Sequence, residues 1–376
     1  MRLLAFSQPA DFHTFAVKWA LERLGLDVDV LFLSDVPQLS ALSFRAGADM
    51  DCRVSQGDRS FNLFDYDIVW FRRMVGPVPS PSIHESDLQV AVRDWRLISS
   101  SIQQALGRHG RFCVNPPASE AARNLKPLQL QVAIECGLIV PPTLISTSAE
   151  EIGAFIRTNA KQGAETIAKP LAAVMWRDAA ASDFGFMTEL VTEADVLAAD
   201  VSSDPVIFQK CLAKSYEVRV TIMGHTMMAV KLESQSARDA EVDFRKVRDW
   251  RDLGHRRIDL PEVVAEKLLA FHSRLGIIFS TVDFIVTPDG AWVFLEANEM
   301  GNWLWIESCN PEIPLLDCFA RFLCSRDPRF LYEAPPPAER IHAAGYAGSF
   351  GSHIRPYIDH QRDRHVEPRS SAVFSD

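Results

Sequence analysis

Short apolar runs alternate with helix-period stretches through the first 115 residues. Residues 3–6 form an apolar run, residues 12–24 carry helical spacing closed by Gly25, and residues 28–33 form a second run. This pattern predicts a β-α-β unit. Residues 68–71 add a third strand ending in Arg72-Arg73, and the amphipathic stretch 84–106 leads to Cys113-Val114-Asn115-Pro116-Pro117. A small open α/β lobe with a parallel sheet is expected over residues 1–115, with the Pro-Pro pair as its boundary.

The pattern then changes. Over residues 116–205 it predicts a helix at 119–125 and another that starts at Lys126-Pro127, with proline in its permitted first turn, and stops at Gly137. An extended segment after Pro141-Pro142, a helix at 150–159 and a strand at 165–170 follow. Residues 206–330 read mainly as strands, at 206–210, 216–223, 226–233, 281–286 and 291–297, with one helix at 261–275. Residues 331–376 contain Pro335-Pro336-Pro337 and scattered charge, which predicts a weakly ordered tail. No internal repeat occurs.

Composition narrows the function classes. A chain of 376 residues exceeds the usual single core, so two or three packed lobes are expected. The net charge of −10 and the lack of a Lys/Arg run argue against nucleic acid as partner. The longest apolar candidate, residues 275–286, is interrupted by Ser280, Thr281 and Asp283, so no membrane span is expected. The N-terminus reads as a first strand rather than a signal segment. Seven cysteines without C-x-x-C, and no H-E-x-x-H, suit a cytoplasmic protein better than a disulfide framework or a zinc site.

Three stretches carry chemistry. Pro288-Asp289-Gly290 between two apolar runs predicts a hairpin. If Val286 faces Ala291, Asp283 lies opposite Phe294 and diagonal to Glu296, and Glu296 shares a face with Asn298. Diagonal neighbours stand about 7–8 Å apart, a gap that divalent cations bridge. Two carboxylates and an amide oxygen make a hard set suited to Mg²⁺ and a nucleotide phosphate. The bland alternative is an exposed acid, a strand-end acid and a turn asparagine. Lys126 at a helix start and Lys169 before Pro170 stand where phosphates are held, although a lone lysine is usually solvated surface. Along 216–220, Glu217 and Arg219 share one strand face, which suits a ribose and a phosphate or, equally, a cross-strand ion pair. Cys211 and Cys309 read as packing residues and His225 as a turn residue.

Taken in order, Lys126, Lys169, Gln209-Lys210-Cys211-Leu212, Glu217-Val218-Arg219, Asp283 and Glu296-Ala297-Asn298 resemble the ATP-grasp ligase superfamily. The supporting stretches are Val69–Arg73, Val114-Asn115-Pro116, Lys126–Ala133, Gly137–Thr143, Asp249-Trp250-Arg251 and Asn298–Glu307, and they are similar to graspetide-forming (microviridin-type) peptide ligases and RimK-like ligases. The resemblance implies an ATP-grasp fold, in which an N-terminal open α/β lobe precedes two α+β subdomains that clamp ATP. It implies that Lys126 and Lys169 contact phosphates, that Gln209, Lys210 and Leu212 line the adenine, that Glu217 binds the ribose, and that Asp283, Glu296 and Asn298 hold Mg²⁺. Arg219 and Arg251 are the candidates for the transferring phosphate. The implied reaction activates a side-chain carboxylate with ATP and joins it to a hydroxyl or amine of a precursor peptide (leader plus core). Addition of an amino acid in the RimK manner, or a non-catalytic peptide-binding module, are the alternatives, and a homodimer is compatible with each. Two stretches depart from the pattern: Asn298-Glu299-Met300-Gly301-Asn302 replaces N-P-x-G-Q, and the loop 171–177 lacks glycines.

Overall fold

The computed structural model describes residues 1–350, except 10, 48–49, 75, 109, 123–124, 172–174, 178–182, 186, 200, 237–241 and 248, and again residues 364–366. Residues 172–174 of the loop 171–177, where a departure was expected, lie outside the described residues. The first lobe contains β1 (Arg2–Ser7), α1 (Phe12–Arg23), β2 (Asp27–Phe32), β3 (Ala41–Arg45), β4 (Asp51–Gln56), β5 (Arg59–Asn62), β6 (Ile68–Phe71), α2 (Glu85–Arg108) and β7 (Phe112–Val114). A parallel sheet in the order β2-β1-β6-β7 is its centre. Leu3, Leu4, Ala5 and Phe6 of β1 are all fully buried, as a central parallel strand covered on both faces requires. The antiparallel sheet β3-β4-β5 was not expected, because the mostly exposed β3 carries little apolar alternation.

The second unit is built from α3 (Lys126–Glu135), β8 (Thr143–Ser146), α4 (Ala149–Lys161), β9 (Thr166–Lys169), β10 (Met175–Arg177), β11 (Asp183–Gly185), β12 (Glu189–Val191), α5 (Glu193–Ala198) and β13 (Val206–Lys210). Its sheet runs β12-β9-β13-β8. Helices α4 and α5 cover one face through Ile152, Val196, Ala168 and Phe208. The expected helix at 119–125 is instead a 3₁₀ turn, Pro117–Ala122.

The third unit is the antiparallel sheet β16-β15-β14-β17-β18, formed by β14 (Tyr216–Met223), β15 (Thr226–Leu232), β16 (His255–Ile258), β17 (Phe279–Val286) and β18 (Trp292–Asn298), with α6 (Glu262–Leu275). Val218, Val220, Ile222, Val282, Phe284 and Phe294 pack with α3 and α6 on one face. Two further helices, α7 (Leu304–Cys309) and α8 (Leu315–Ser325), lie where the sequence pattern suggested mainly strands. Neither has a side-chain N-cap to announce it. Their residues Leu304, Leu316, Phe319 and Phe322 join Leu3, Val17 and Leu21 of the first lobe in one core.

The lobes are stitched by buried polar bonds. Asn115 Oδ1 accepts from the backbone N–H of Ile278 and Phe279 at 2.9 and 2.8 Å, and its amide donates to Phe279 O at 2.9 Å. The tail expectation needs correction for its first part. Ile341 N donates to Asp317 at 3.0 Å, Ala343 N donates to Glu307 at 2.7 Å, and Ile341 and Ala343 are buried. Backbone bonds to buried carboxylates order this segment despite its prolines. Residues 351–363 and 367–376 lie outside the described residues.

Candidate active site

The hairpin between β17 and β18 forms as expected, but in a different register. Thr287 N donates to Ala291 O at 3.0 Å, so the loop is the three residues 288–290, with Gly290 at φ +85°. Val286 therefore pairs with Trp292 rather than Ala291. A bulge between Phe284 and Asp283 shifts the register once more, and Asp283 stands directly opposite Glu296, not diagonal to it. A bulge re-aims side chains at the cost of one ladder position, and here it brings two carboxylates onto one cross-strand pair. On the other side of β17, Arg219 of β14 pairs directly with Asp283. Arg219, Asp283 and Glu296 thus form a row across three strands, with Asn298 beside it.

Charges this close inside a sheet must be compensated. Arg219 Nη1 lies 3.5 Å from Asp283, and its Nη2 donates to Thr281 at 3.0 Å. Lys126 Nζ lies 2.8 Å from Glu296. The Lys126 ammonium also reaches Pro170 O, next to Lys169, at 3.5 Å, and so bridges the two sheets. Gln129, one turn along α3, explains how that lysine is aimed. Its amide donates to Ala297 O at 2.9 Å and accepts from Ala297 N at 3.0 Å. β18 is the edge of its sheet, and Gln129 satisfies its exposed backbone. Nothing in the sequence pattern singled out Gln129; its i,i+3 spacing from Lys126 was the available signal.

A cavity of about 770 Å³ opens beside this row, lined from the sheet by Arg219, Asp283, Glu296 and Asn298. Its far wall comes from the first lobe through Gln8, Asp11, His13 and Arg73, and its side from Phe244, Asp249, Trp250, Arg251 and Trp305. Of the expected residues, the cavity collects Arg219, Arg251, Asp283, Glu296 and Asn298. Arg251 stands at an exposed rim and is held by its own neighbour, since Asp249 accepts from its Nε at 2.9 Å. That hydrogen bond pulls the Asp249 carboxyl down to about 2.

The expected nucleotide residues stand apart from this cavity. Lys169 and Gln209 share the face of the four-stranded sheet turned away from α4 and α5, as the pairing of Ala168 with Phe208 dictates. Gln209 is buried and donates to Thr143 Oγ1 at 2.8 Å, and its Oε1 has no hydrogen-bond partner among the described residues. Lys210 differs from expectation: alternation turns its side chain to the helix face, where Nζ donates to Gln162 at 2.8 Å. Leu212 is half-buried in the connection to β14. Glu217 is buried against Lys214 Nζ at 2.7 Å. Burial raises its pKa, and Lys214, which the sequence reading passed over, opposes the rise.

The departing segment 298–302 has a definite job. Asn298 Oδ1 accepts from Met300 N at 3.0 Å. A Cβ on Gly301 would meet Thr281, whose Cβ would lie 2.8 Å away, so only glycine fits. Asn302 Oδ1 accepts from Arg72 at 2.6 Å and from Arg73 at 3.1 Å. Arg72 is buried, paired with Asp11 at 3.0 Å, and donates to Met300 O. His13 Nε2 accepts from Trp303 N and Leu304 N at 3.1 and 3.2 Å, which caps α7, and burial lowers its pKa.

The donor set fits a Mg²⁺-bound nucleotide. Two carboxylates and an amide oxygen line one space, and Lys126 stands where a phosphate would replace Glu296 as its partner. Among the described residues no three His, Cys, Asp or Glu side chains converge, so phosphate or water oxygens would complete the shell of a hard cation.

The sequence matches no protein-family model and no curated protein. Solved structures match over nearly the whole fold. The macrocyclase MdnC from Microcystis aeruginosa, bound with precursor peptide MdnA, is 24% identical over 86% of this chain and 100% of its own, with a TM-score of 0.75. A RiPP-associated ATP-grasp ligase from Chryseobacterium gregarium, in complex with ADP and a leader and core peptide, is 21% identical over 88% and 99%, with a TM-score of 0.77. The ATP-grasp ligase PsnB, complexed with a precursor variant, Mg and ADP, is 20% identical over 86% and 98%, with a TM-score of 0.66. The chain has the fold of these ATP-grasp ligases.

Proposed function

We propose that this chain is an ADP-forming ligase that joins a side-chain carboxylate to a hydroxyl or amine of a ribosomal precursor peptide. The observation that carries the reading is the row Arg219–Asp283–Glu296, bridged by Lys126 to the sheet that bears Lys169. ATP sits between the two sheets in this reading. Lys126 and Lys169 hold its phosphates, the Gln209–Leu212 strand end faces its adenine, and Glu217 its ribose. Asp283, Glu296 and Asn298 hold Mg²⁺, which offsets charge on the transferring phosphoryl group.

A peptide carboxylate oxygen attacks the γ-phosphorus, ADP leaves, and an acyl phosphate forms. A hydroxyl or amine then attacks the acyl carbon, phosphate leaves with the bonding pair, and the proton passes to solvent. Arg219, and Arg251 on its exposed rim, face the charge that develops. The structural neighbours support this assignment: one is bound with a precursor peptide, and two are complexed with ADP and peptide.

Glu296→Gln tests it, because the change removes charge and hardly any volume. With Mg-ATP and peptides encoded beside the gene, the wild type is expected to release ADP and lower peptide mass by one water per bond, and the variant to do neither. Turnover of Glu296→Gln near the wild-type rate would remove the metal assignment.

A further inference from the structure

Asp35 ends the short turn Leu33–Asp35 that follows β2, and only 1% of its side chain is exposed. A buried carboxylate needs hydrogen bonds or a counter-charge, and the first lobe supplies little of either. Gln56 donates its amide to Oδ2 at 2.8 Å. Among the described residues no lysine or arginine pairs with Asp35, and its one ionic partner is His365. The other donors thus come from the far end of the chain. His365 Nδ1 lies 2.7 Å from Oδ2, and Val366 N donates to Oδ1 at 2.9 Å. The His365 ring also meets Phe32, a core residue of the first lobe, edge-on at 4.5 Å between centroids. Two consecutive residues therefore fill one notch at three points: a ring nitrogen, a backbone N–H and an aromatic edge.

We propose that this notch is a peptide-docking site that the chain's own C-terminal segment fills through His365-Val366, and that the docked segment braces the first-lobe wall of the cavity. The bracing follows from topology. Strands β1, β2 and β6 run parallel, so Ser7, Phe32 and Phe71 end at one edge of the sheet. Gln8 and Arg73, which follow two of those ends, line the cavity, and Asp35 follows the third. This carboxyl edge is where open parallel sheets hold ligands. The loop after Asp35 folds back on it, since Leu39 N and Ser40 N donate to Asp35 O at 2.7 and 3.1 Å. From that loop Gln38 donates to Val78 O and Pro79 O at 3.2 Å each, which ties it to the segment continuing from Arg73. Neither His365 nor Val366 lines the cavity, so the docked segment supports the wall and does not plug the space. The pair of donors also defines the occupant. An aliphatic residue in place of His365 would leave Oδ2 with Gln56 alone, and a proline in place of Val366 would remove the N–H to Oδ1.

The test uses the full chain and a fluorescein-labelled synthetic peptide of residues 361–371, with a second peptide that carries alanine in place of the histidine. A tethered segment competes at an effective concentration on the order of 1 mM, so the wild type is expected to leave both peptides unbound in fluorescence polarisation. His365→Ala opens the notch and is expected to bind the histidine peptide. The alanine peptide is expected to bind that variant about tenfold or more weakly, through loss of a hydrogen bond to a charged group. Adding Asp35→Asn to the same variant is expected to erase the preference for histidine. Hydrogen–deuterium exchange read by mass spectrometry gives a second measure. It is expected to quicken over residues 33–40 and 76–84 in His365→Ala, and to slow again when the histidine peptide is added. Equal binding of the two peptides to His365→Ala, or of neither, would overturn the proposal. Exchange that changes over residues 33–40 alone would overturn the bracing of the wall. These readouts need neither nucleotide nor turnover, so the ligase reading and the docking site stand or fall separately.

Discussion

Lys126 and Glu296 form an ion pair whose parts are both half-buried. In water such a pair stabilises little, so its place at the junction of two sheets matters more than its strength. In the proposed reading, a phosphate arriving with Mg²⁺ would give the carboxylate a metal and the ammonium an anion, so neither charge would be left bare. Lys126→Ala is therefore expected to weaken nucleotide binding by about ten- to a hundredfold, the worth of a lost charged hydrogen bond, while thermal stability changes little. Equal nucleotide titrations for variant and wild type would return Lys126 to an ordinary surface lysine.

At the scale of elements, the edge strand β18 depends on α3. Its Ala297 N–H and C=O are completed by the Gln129 amide, and its Phe294 N–H by Ile139 O at 2.8 Å. Gln129→Leu fills similar space but leaves two buried backbone groups without partners, at about 1–3 kcal/mol each. A fall in denaturation midpoint together with loss of ADP release is expected, since Glu296 and Asn298 flank the released residue. Gln131→Leu is the control, because Gln131 sits on the exposed face of the same helix and its side chain donates to Glu135 at 3.0 Å. If both variants behave alike, the clamp has no role beyond helix composition.

Across the whole molecule, segments as far apart in sequence as Leu3 and Tyr346 converge on one core. Helix α8 packs on α1, and Asp317 and Glu307 tie down the segment that follows. Glu307 of α7 is buried, and burial raises its pKa from the usual 4.5 to about 7 against the backbone donors of Ala343 and Leu316. The folded state thus holds this proton more tightly than the unfolded chain. Its contribution is fully present below pH 4.5 and is lost as pH rises through about 7, a swing on the order of 3 kcal/mol. Melting temperature is expected to fall more between pH 5 and 8 for the wild type than for Glu307→Gln. Parallel curves would show that Glu307 does not titrate in that window.

The sequence by itself determined the elements whose apolar period is strong and whose ends are marked. The β-α-β start, the helix after Lys126-Pro127, the strand Tyr216–Met223 and the hairpin around Pro288-Asp289-Gly290 all formed near their expected limits. Local backbone preference and one-sided burial act within a few residues, so a reader of the chain sees them directly. The types of residue at the site were legible for the same reason: a carboxylate inside an apolar strand stands out against its neighbours. What only the tertiary structure decided was which of those residues meet. The register that sets Asp283 against Glu296 depends on one bulge, and a single-residue slip turns every side chain to the other face. The turn of Lys210 away from Gln209, the capture of Glu217 by Lys214, the Gln129 clamp and the hold of Asn302 on Arg73 each depend on a partner placed by packing. Packing energy is shared among distant segments, as when Asn115 bonds Ile278 and Phe279, and no local pattern in the chain records which segments those are.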